Sequence, residues 1–181
     1  GVIGLFFFGW AVLCEKFAVG NVCYALIGAA IPLMISGGFH VDGYMDTMDA
    51  FHSYQSREKK LEILKDSHIG AFAAIMLALY YMIDIAAISE IHPQKAVSAL
   101  AAVFFLARCF SGIAVMTLQP AKKEGLLYTF ASSAQKVRVK AALYFQTVLC
   151  VVLMLLVSGW YGAAAIGAAL LSFFYFKKKS Y

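Results

Sequence analysis

Residues 36–51 read SGGFHVDGYMDTMDAF, a polar and acid-rich stretch in a chain that is otherwise hydrophobic almost throughout. Its carboxylates, Asp42, Asp46 and Asp49, follow one another at intervals of four and three residues. Residues at this spacing share one face of an α-helix, so the stretch predicts a helix whose carboxylates point at one object. Such carboxylates need a cation or a proton to coexist, and the usual cation is Mg²⁺, typically shared with a substrate phosphate. The alternative is a solvated helix face at a membrane surface, which we rank second because acids beside apolar spans are costly unless they function.

The composition is that of an integral membrane protein. Of the 181 residues, 62% are hydrophobic and 14% are charged, and the mean hydropathy is +0.79. Soluble domains are about half apolar and about a quarter charged. The net charge of +5 does not indicate nucleic-acid binding, because the basic residues are concentrated in loops. The four cysteines lie in apolar segments without a CxxC pair, so we expect small buried hydrophobic residues and neither disulfides nor a zinc site.

Hydrophobic runs predict an all-α fold, a polytopic transmembrane helix bundle of about six spans that carries the acidic stretch in a helical insertion. We expect one membrane domain, residues 1–181, and a missing N-terminal segment, because the chain starts inside a hydrophobic run without Met. Pro32 is expected to bend the end of the second span. The predicted spans are 1–13, 19–35, 69–89, 92–118, 141–158 and 160–176, with a polar insertion at 37–67 and a basic loop at 119–140.

Basic residues predict the orientation in the membrane. If the acidic stretch faces the cytoplasm, twelve of the fifteen Lys and Arg residues fall on that side, with Lys16 and Lys95 opposite and Arg108 inside a span. We therefore expect a multi-pass protein of the cell membrane whose active loops are cytoplasmic. The twelve are Arg57, Lys59, Lys60, Lys65, Lys122, Lys123, Lys136, Arg138, Lys140, Lys177, Lys178 and Lys179.

A second acidic cluster follows the first. Residues 57–65 predict an amphipathic helix on the bilayer surface, with a solvated charged face as the alternative. Directly before the next span, Lys65, Asp66 and His68 bring an acid with a cation beside it, and Gly70 allows close approach. Two acidic clusters at one membrane face, interleaved with Lys and Arg, suit a diphosphate, since metal ions bridge phosphate oxygens and fixed cations stabilise the leaving group.

Together the two clusters resemble a family signature. GGFHVDGYMDTMDA at 37–50 followed by KDSHIG at 65–70 resembles the cobalamin synthase family, the adenosylcobinamide-GDP ribazoletransferases. The likeness is highly specific in the acidic stretch and extends more loosely to about residue 130. Relative to the family, the chain lacks the N-terminal segment and the C-terminal GG-x-TGD region. Further family positions are resembled by Arg108, Pro120, Glu124 and Gly125.

The resemblance implies a reaction and its partners. The family joins adenosylcobinamide-GDP to α-ribazole, or to its 5′-phosphate, and releases GMP with Mg²⁺ present. In chemical terms, a ribose hydroxyl attacks the phosphorus nearer the cobinamide and GMP leaves. We therefore expect these two substrates and the lipid bilayer as partners, and no nucleic acid, and we leave a homo-oligomer open.

Residue roles follow as hypotheses. Asp66 completes a metal shell or accepts the hydroxyl proton, while Arg57 and Lys65 neutralise phosphate charge. The expected Mg²⁺ ligands are Asp42, Asp46 and Asp49.

The remaining candidates carry weaker signals. His40 is a base, an acceptor of a substrate hydrogen bond or a structural donor, and the three are equally favoured. Because the glycine pair at 37–38 favours a non-helical start, His40 could lie near the acids. Arg108 should face the bundle interior or a wet cavity, where we favour binding of a substrate phosphate over an ion pair with Asp84. His68 is expected to be a surface residue and Glu124 a loop acid.

Three other functions are possible from the sequence. A CDP-alcohol phosphotransferase needs DG-x-x-AR, whereas Asp42-Gly43 is followed by Tyr-Met-Asp-Thr. A prenyl-diphosphate transferase usually shows two DxxxD-like motifs, of which one is clear here. A cation transporter would place its acids near mid-bilayer between related halves, and we rank it third because these acids lie at a loop boundary without an internal repeat.

Overall fold

The protein is all-helical, as the sequence predicts. The computed structural model describes residues 1–66, 68–92, 94–117 and 136–179, and within them it contains eight helices and no strand. The predicted basic loop is wrong at its end, because residues 136–140 already form the first turns of a helix, for which Lys and Arg are favourable residues. The helices are α1 Val2–Lys16, α2 Asn21–Ser36, α3 Phe39–His52, α4 Arg57–Ile63, α5 Ala71–Ser89, α6 Gln94–Thr117, α7 Lys136–Ser158 and α8 Trp160–Lys179.

Three of these helices are long and apolar enough to cross a membrane: Ala71–Ser89, Gln94–Thr117 and Val137–Ser158. A fourth span results if α2 and α3, which meet at a bend of 96°, form one broken span. The predicted count of about six is therefore not confirmed. One reason is α1, whose 15 residues are fewer than the roughly 20 that a hydrocarbon core requires.

Outward-facing apolar side chains fit a lipid environment. Several large apolar side chains are each more than 70% exposed, among them Leu5, Val22, Leu156 and Leu171. The surface of a soluble protein seldom presents many such residues together. Of the four cysteines, none of which is in a disulfide, Cys23 is exposed. The prediction that all four are buried is wrong for Cys23 because it lies beside Val22 on the outward face of α2.

Contacts group the chain into two compact units, Gly1–Phe8 with His92–Tyr181, and Gly9–Ile91. In the first unit, α6, α7 and α8 pack on one another around Leu106, Cys150 and Met154. Helices α7 and α8, which contain the last two predicted spans, form a hairpin that turns at Gly159 with a φ of 55°. The prediction of one membrane domain is untested and stays a prediction.

The second unit holds the acidic stretch. Helix α5 packs against both α2 and α3, and α4 packs against α3. At one end of this unit, the Asn21 side-chain amide donates to the Ser89 carbonyl and the Tyr24 hydroxyl donates to the Ile91 carbonyl, at 3.1 and 2.9 Å. These bonds fix the start of α2 against the end of α5.

A glycine pair turns the chain from α2 into α3. Gly37 and Gly38 have φ values of 63° and 83°, in the left-handed region that only glycine enters at little cost. Pro32, which was expected to bend the end of the span, lies inside α2, and the helix continues to Ser36. The bend of 96° therefore coincides with the glycines, and it directs α3 away from the axis of α2 and onto α5.

Candidate functional site: an acidic cavity

One polar cavity of about 290 Å³ lies in the Gly9–Ile91 unit. Helix α3 contributes positions i, i+3, i+4 and i+7, which occupy one helical face, as the spacing predicts. Leu64, Lys65, Asp66, His68 and Ile69, which lie between α4 and α5, also line it, so the cavity joins the two acidic clusters of the sequence. We name it the acidic cavity; its lining residues are Asp42, Met45, Asp46, Asp49, Leu64, Lys65, Asp66, His68, Ile69 and Ala73.

The carboxylates of α3 lie close enough to repel one another. The pKa of Asp46, which lies outside the three apolar spans, is raised first by partial burial and then by the negative charges of Asp42 and Asp49. A raised carboxyl pKa means that the surroundings disfavour the charged form. A cation or a proton in the acidic cavity would relieve that cost.

Asp49 is held by the backbone of the neighbouring helix. Its Oδ2 accepts a hydrogen bond from the Gly70 N–H at 2.7 Å, and its Oδ1 accepts one from the Ala73 N–H at 2.9 Å. Gly70 is the N-cap of α5, and the first N–H groups of a helix have no partner within the helix. The Asp49 carboxylate therefore caps α5 across more than 20 residues of sequence.

Gly70 is required by space and not by backbone conformation. Its φ of −84° and ψ of 166° are ordinary extended values. A Cβ at this position would lie 2.5 Å from both Asp49 carboxylate oxygens, which is closer than real contacts allow. The close approach expected at this glycine is thus made by Asp49.

Asp66 and His68, which both line the cavity, form an exposed pair. Asp66 Oδ1 accepts the His68 backbone N–H at 3.1 Å and lies 2.6 Å from His68 Nδ1. These hydrogen bonds lower the pKa of Asp66, and the same side-chain contact raises the pKa of His68. His68 is a surface residue, as the sequence predicts, but its pairing with Asp66 was not predicted. The spacing of two residues was the available signal, since Asp side chains often accept the N–H two residues on.

The structure brings some of the candidate residues together and separates others. Lys65 lines the acidic cavity, whereas Arg57, at the start of α4, and His40 do not. The expectation of a non-helical start does not extend to His40, because α3 begins at Phe39. On a helix, two residues are about 200° apart, so His40 and Asp42 face different directions.

Arg108 lies on α6 in the other unit. Its side chain is exposed, while Leu106 and Cys109 are buried, so it is not part of that unit's apolar core. Asp84 lies on α5 in the Gly9–Ile91 unit, and the ion pair between them stays a prediction. The further family positions at Pro120, Glu124 and Gly125 lie outside the described residues.

The residues of the acidic cavity fit an open magnesium site that substrate phosphates and water complete, and they do not fit a closed site made of protein ligands alone. Within the described ranges, no three His, Cys, Asp or Glu side chains converge as a closed metal centre. Magnesium, however, is usually bound through one or two carboxylates together with substrate phosphates and water. Asp42 and Asp46 supply two such oxygen donors at the cavity wall.

The fold and the cavity thus define a helical membrane protein with a polar cavity lined by carboxylates and a lysine. The chain belongs to the cobalamin-5-phosphate synthase family, whose model matches residues 1–181. The resemblance carried by the two acidic segments is thereby confirmed. No solved structure matches the chain.

Three relatives, each named adenosylcobinamide-GDP ribazoletransferase, show the extent of the similarity. The protein of Lachnoclostridium phytofermentans is 40% identical over 181 residues, which is 99% of this chain and 69% of that protein. The protein of Mesorhizobium japonicum is 33% identical, over 94% of this chain and 64% of its own length. For Azorhizobium caulinodans the values are 30%, 92% and 65%. The chain thus spans about two thirds of the length of these relatives.

Proposed function

We propose that the chain carries the diphosphate-binding part of an adenosylcobinamide-GDP ribazoletransferase, and that the acidic cavity is its reaction site. The reaction joins adenosylcobinamide-GDP to α-ribazole or its 5′-phosphate. A ribose hydroxyl oxygen forms a bond to the phosphorus nearer the cobinamide, the bond from that phosphorus to the bridging oxygen breaks, and GMP and a proton leave. The observation that carries the proposal is the meeting of both family segments, 42–49 and 65–70, at one polar cavity.

Asp42 and Asp46 would hold Mg²⁺ at the cavity wall, where the ion would neutralise diphosphate charge and favour GMP as leaving group. Lys65, which also lines the cavity, adds a fixed positive charge. Two roles are proposed for Asp66: completing the metal shell and accepting the hydroxyl proton. The lowered pKa of Asp66 favours the metal shell, because a carboxylate with a lower pKa is a weaker base. Arg57, Arg108 and His40 remain proposals for substrate binding and proton transfer that do not depend on the geometry of this cavity.

We further propose that the acidic cavity opens to the cytoplasm, because twelve of fifteen basic residues fall on that side of the expected topology. A homo-oligomer remains open. One observation favours the transporter alternative: the broken α2–α3 pair is the kind of interrupted helix that ion sites in transporters use.

A single assay separates these functions. The protein in liposomes, given adenosylcobinamide-GDP, α-ribazole and Mg²⁺, should release GMP, and omission of α-ribazole should abolish the release. Absence of GMP together with uptake of a divalent cation into the liposomes would support the transporter and contradict the transferase.

A further inference from the structure

The sequence treats Asp42, Asp46 and Asp49 as equivalent, but the structure does not. Each oxygen of Asp49 accepts a backbone N–H from the start of α5. Within the described residues, the side chains of Asp42 and Asp46 accept no comparable hydrogen bond. Asp49 therefore has a structural task that its two neighbours lack.

The surroundings of Asp49 restrict where its carboxylate can go. Gly70 leaves space for the carboxylate because it has no Cβ, and any Cβ there would lie 2.5 Å from both oxygens. Ala73, the second donor, is 1% exposed and lines the acidic cavity. A carboxylate held by two N–H groups and a tight wall has few orientations left in which to bind an ion.

The position of the contact matters for the cavity. Gly70 ends the segment that carries Lys65, Asp66 and His68, and Asp49 ends the acidic face of α3. The two hydrogen bonds therefore join the start of α5 to the acidic face of α3 beside the segment that carries Lys65, Asp66 and His68.

We propose that Asp49 is a positioning residue that clamps the start of α5 onto α3, and that Asp42 and Asp46 alone bind the cation from α3. This inference rests on the proposed function, deepens it, and replaces the hypothesis of three equivalent ligands. Asp49 acts through Gly70 and Ala73 by keeping Lys65 and Asp66 near the cation-binding carboxylates.

The test compares Asp49→Asn with Asp46→Asn in the purified, detergent-solubilised protein without substrate. Binding of Mn²⁺ is measured by electron paramagnetic resonance, and exchange of the amides at 70–73 by hydrogen–deuterium exchange. We expect Asp46→Asn to weaken Mn²⁺ binding about tenfold or more, because a hard cation loses a charged oxygen, and to leave exchange unchanged. Asp49→Asn should leave Mn²⁺ binding within about twofold and speed amide exchange about tenfold, because hydrogen bonds to a charged acceptor are lost.

A second variant changes no charge. Gly70→Ala should displace the Asp49 carboxylate, speed exchange at 70–73 as Asp49→Asn does, and add nothing to it in the double variant. The matched control is Gly20→Ala, since Gly20 is likewise an extended N-cap glycine, of α2, and has no atom within 4 Å of an added Cβ. It should leave both measurements unchanged.

The opposite pattern overturns the proposal. Loss of Mn²⁺ binding in Asp49→Asn as large as in Asp46→Asn, or unchanged exchange at 70–73 in both Asp49→Asn and Gly70→Ala, shows that Asp49 is not a clamp. Neither readout involves GMP, so a failure of the proposed transferase activity remains distinguishable from a failure of the clamp.

Discussion

At the scale of single residues, charge repulsion in the acidic cavity opposes stability while it prepares a cation site. Asp46 has a raised pKa because of its burial and because of Asp42 and Asp49. Its ionised form therefore lowers the stability of the metal-free protein at neutral pH, and protonation restores that stability as the pH falls through the raised pKa. Such a conflict between stability and charge is characteristic of functional sites.

This conflict predicts the effect of neutralising Asp46 in the absence of metal. Asp46→Asn should raise the apparent Tm of the metal-free protein at pH 7.5, because the cost of burying a charged carboxylate and the repulsion from Asp42 and Asp49 are both removed. The gain should shrink as the pH falls below the raised pKa, where the native Asp46 is itself protonated. Circular dichroism melts in detergent with a chelator measure both values. A lower Tm for the variant at pH 7.5 would contradict this electrostatic account.

Arg108 carries a second prediction at this scale. If it binds a substrate phosphate, Arg108→Met should leave the fold largely intact and reduce activity, and Asp84→Leu should not rescue it. If instead the two residues form an ion pair, each single change should lower the stability and the double change should recover it. A double variant that regains both stability and catalysis would decide against the substrate role.

The sequence predicts the residues of the site better than their individual tasks. Intervals of four and three residues suffice to place Asp42, Asp46 and Asp49 on one helical face, because helix periodicity is a local property. The hydrogen bonds from Gly70 and Ala73 to Asp49 depend on how α5 packs against α3, which local spacing does not encode.

At the scale of elements, α3 is fixed onto α5 at three successive points. The Tyr44 hydroxyl donates to the Met76 carbonyl at 3.3 Å, Asp49 caps the helix, and the His52 ring stacks on Phe72 with centroids 5.7 Å apart. The bend at the glycine pair makes these contacts possible, because it turns α3 away from the axis of α2 and towards α5. The sequence shows the glycines but not the angle, since the same pair is compatible with several turns.

The bend predicts a cost for substituting Gly38. Its φ of 83° places an added Cβ in the left-handed region, so Gly38→Ala should reduce the free energy of unfolding by about 1–2 kcal/mol. Thermal or denaturant unfolding in detergent, followed by circular dichroism, measures the change. Gly9→Ala serves as control, because Gly9 lies within α1 with open space around an added Cβ. If both variants lose the same free energy of unfolding, the left-handed conformation of Gly38 is not the cause of the loss.

At the scale of the whole molecule, the distribution of basic residues is the basis for the proposed orientation in the membrane. Lys and Arg cluster between the apolar runs of the sequence and at their ends, whereas the runs themselves contain almost none. Hydrophobic runs predicted the all-helical fold, although the predicted number of spans is not confirmed. They predicted the start of α7 poorly, because Lys and Arg belong to helices as readily as to loops.

This distribution predicts which loops face the cytoplasm. In a background without the native cysteines, a cysteine at Ser56 and another at Ser132 should resist an impermeant thiol reagent added outside intact cells. Both should react after the membrane is opened, which controls for accessibility. Labelling of either position from outside would reverse the proposed orientation.

The central claim is that the acidic cavity binds the cation and the diphosphate that react. Release of GMP from adenosylcobinamide-GDP by the protein in liposomes, with α-ribazole and Mg²⁺, tests it most directly when the native chain is compared with Asp42→Asn and Asp46→Asn. We predict Mg²⁺-dependent release by the native chain and a loss of roughly one hundredfold in each variant, with membrane insertion unchanged. Full activity in both variants would contradict the claim.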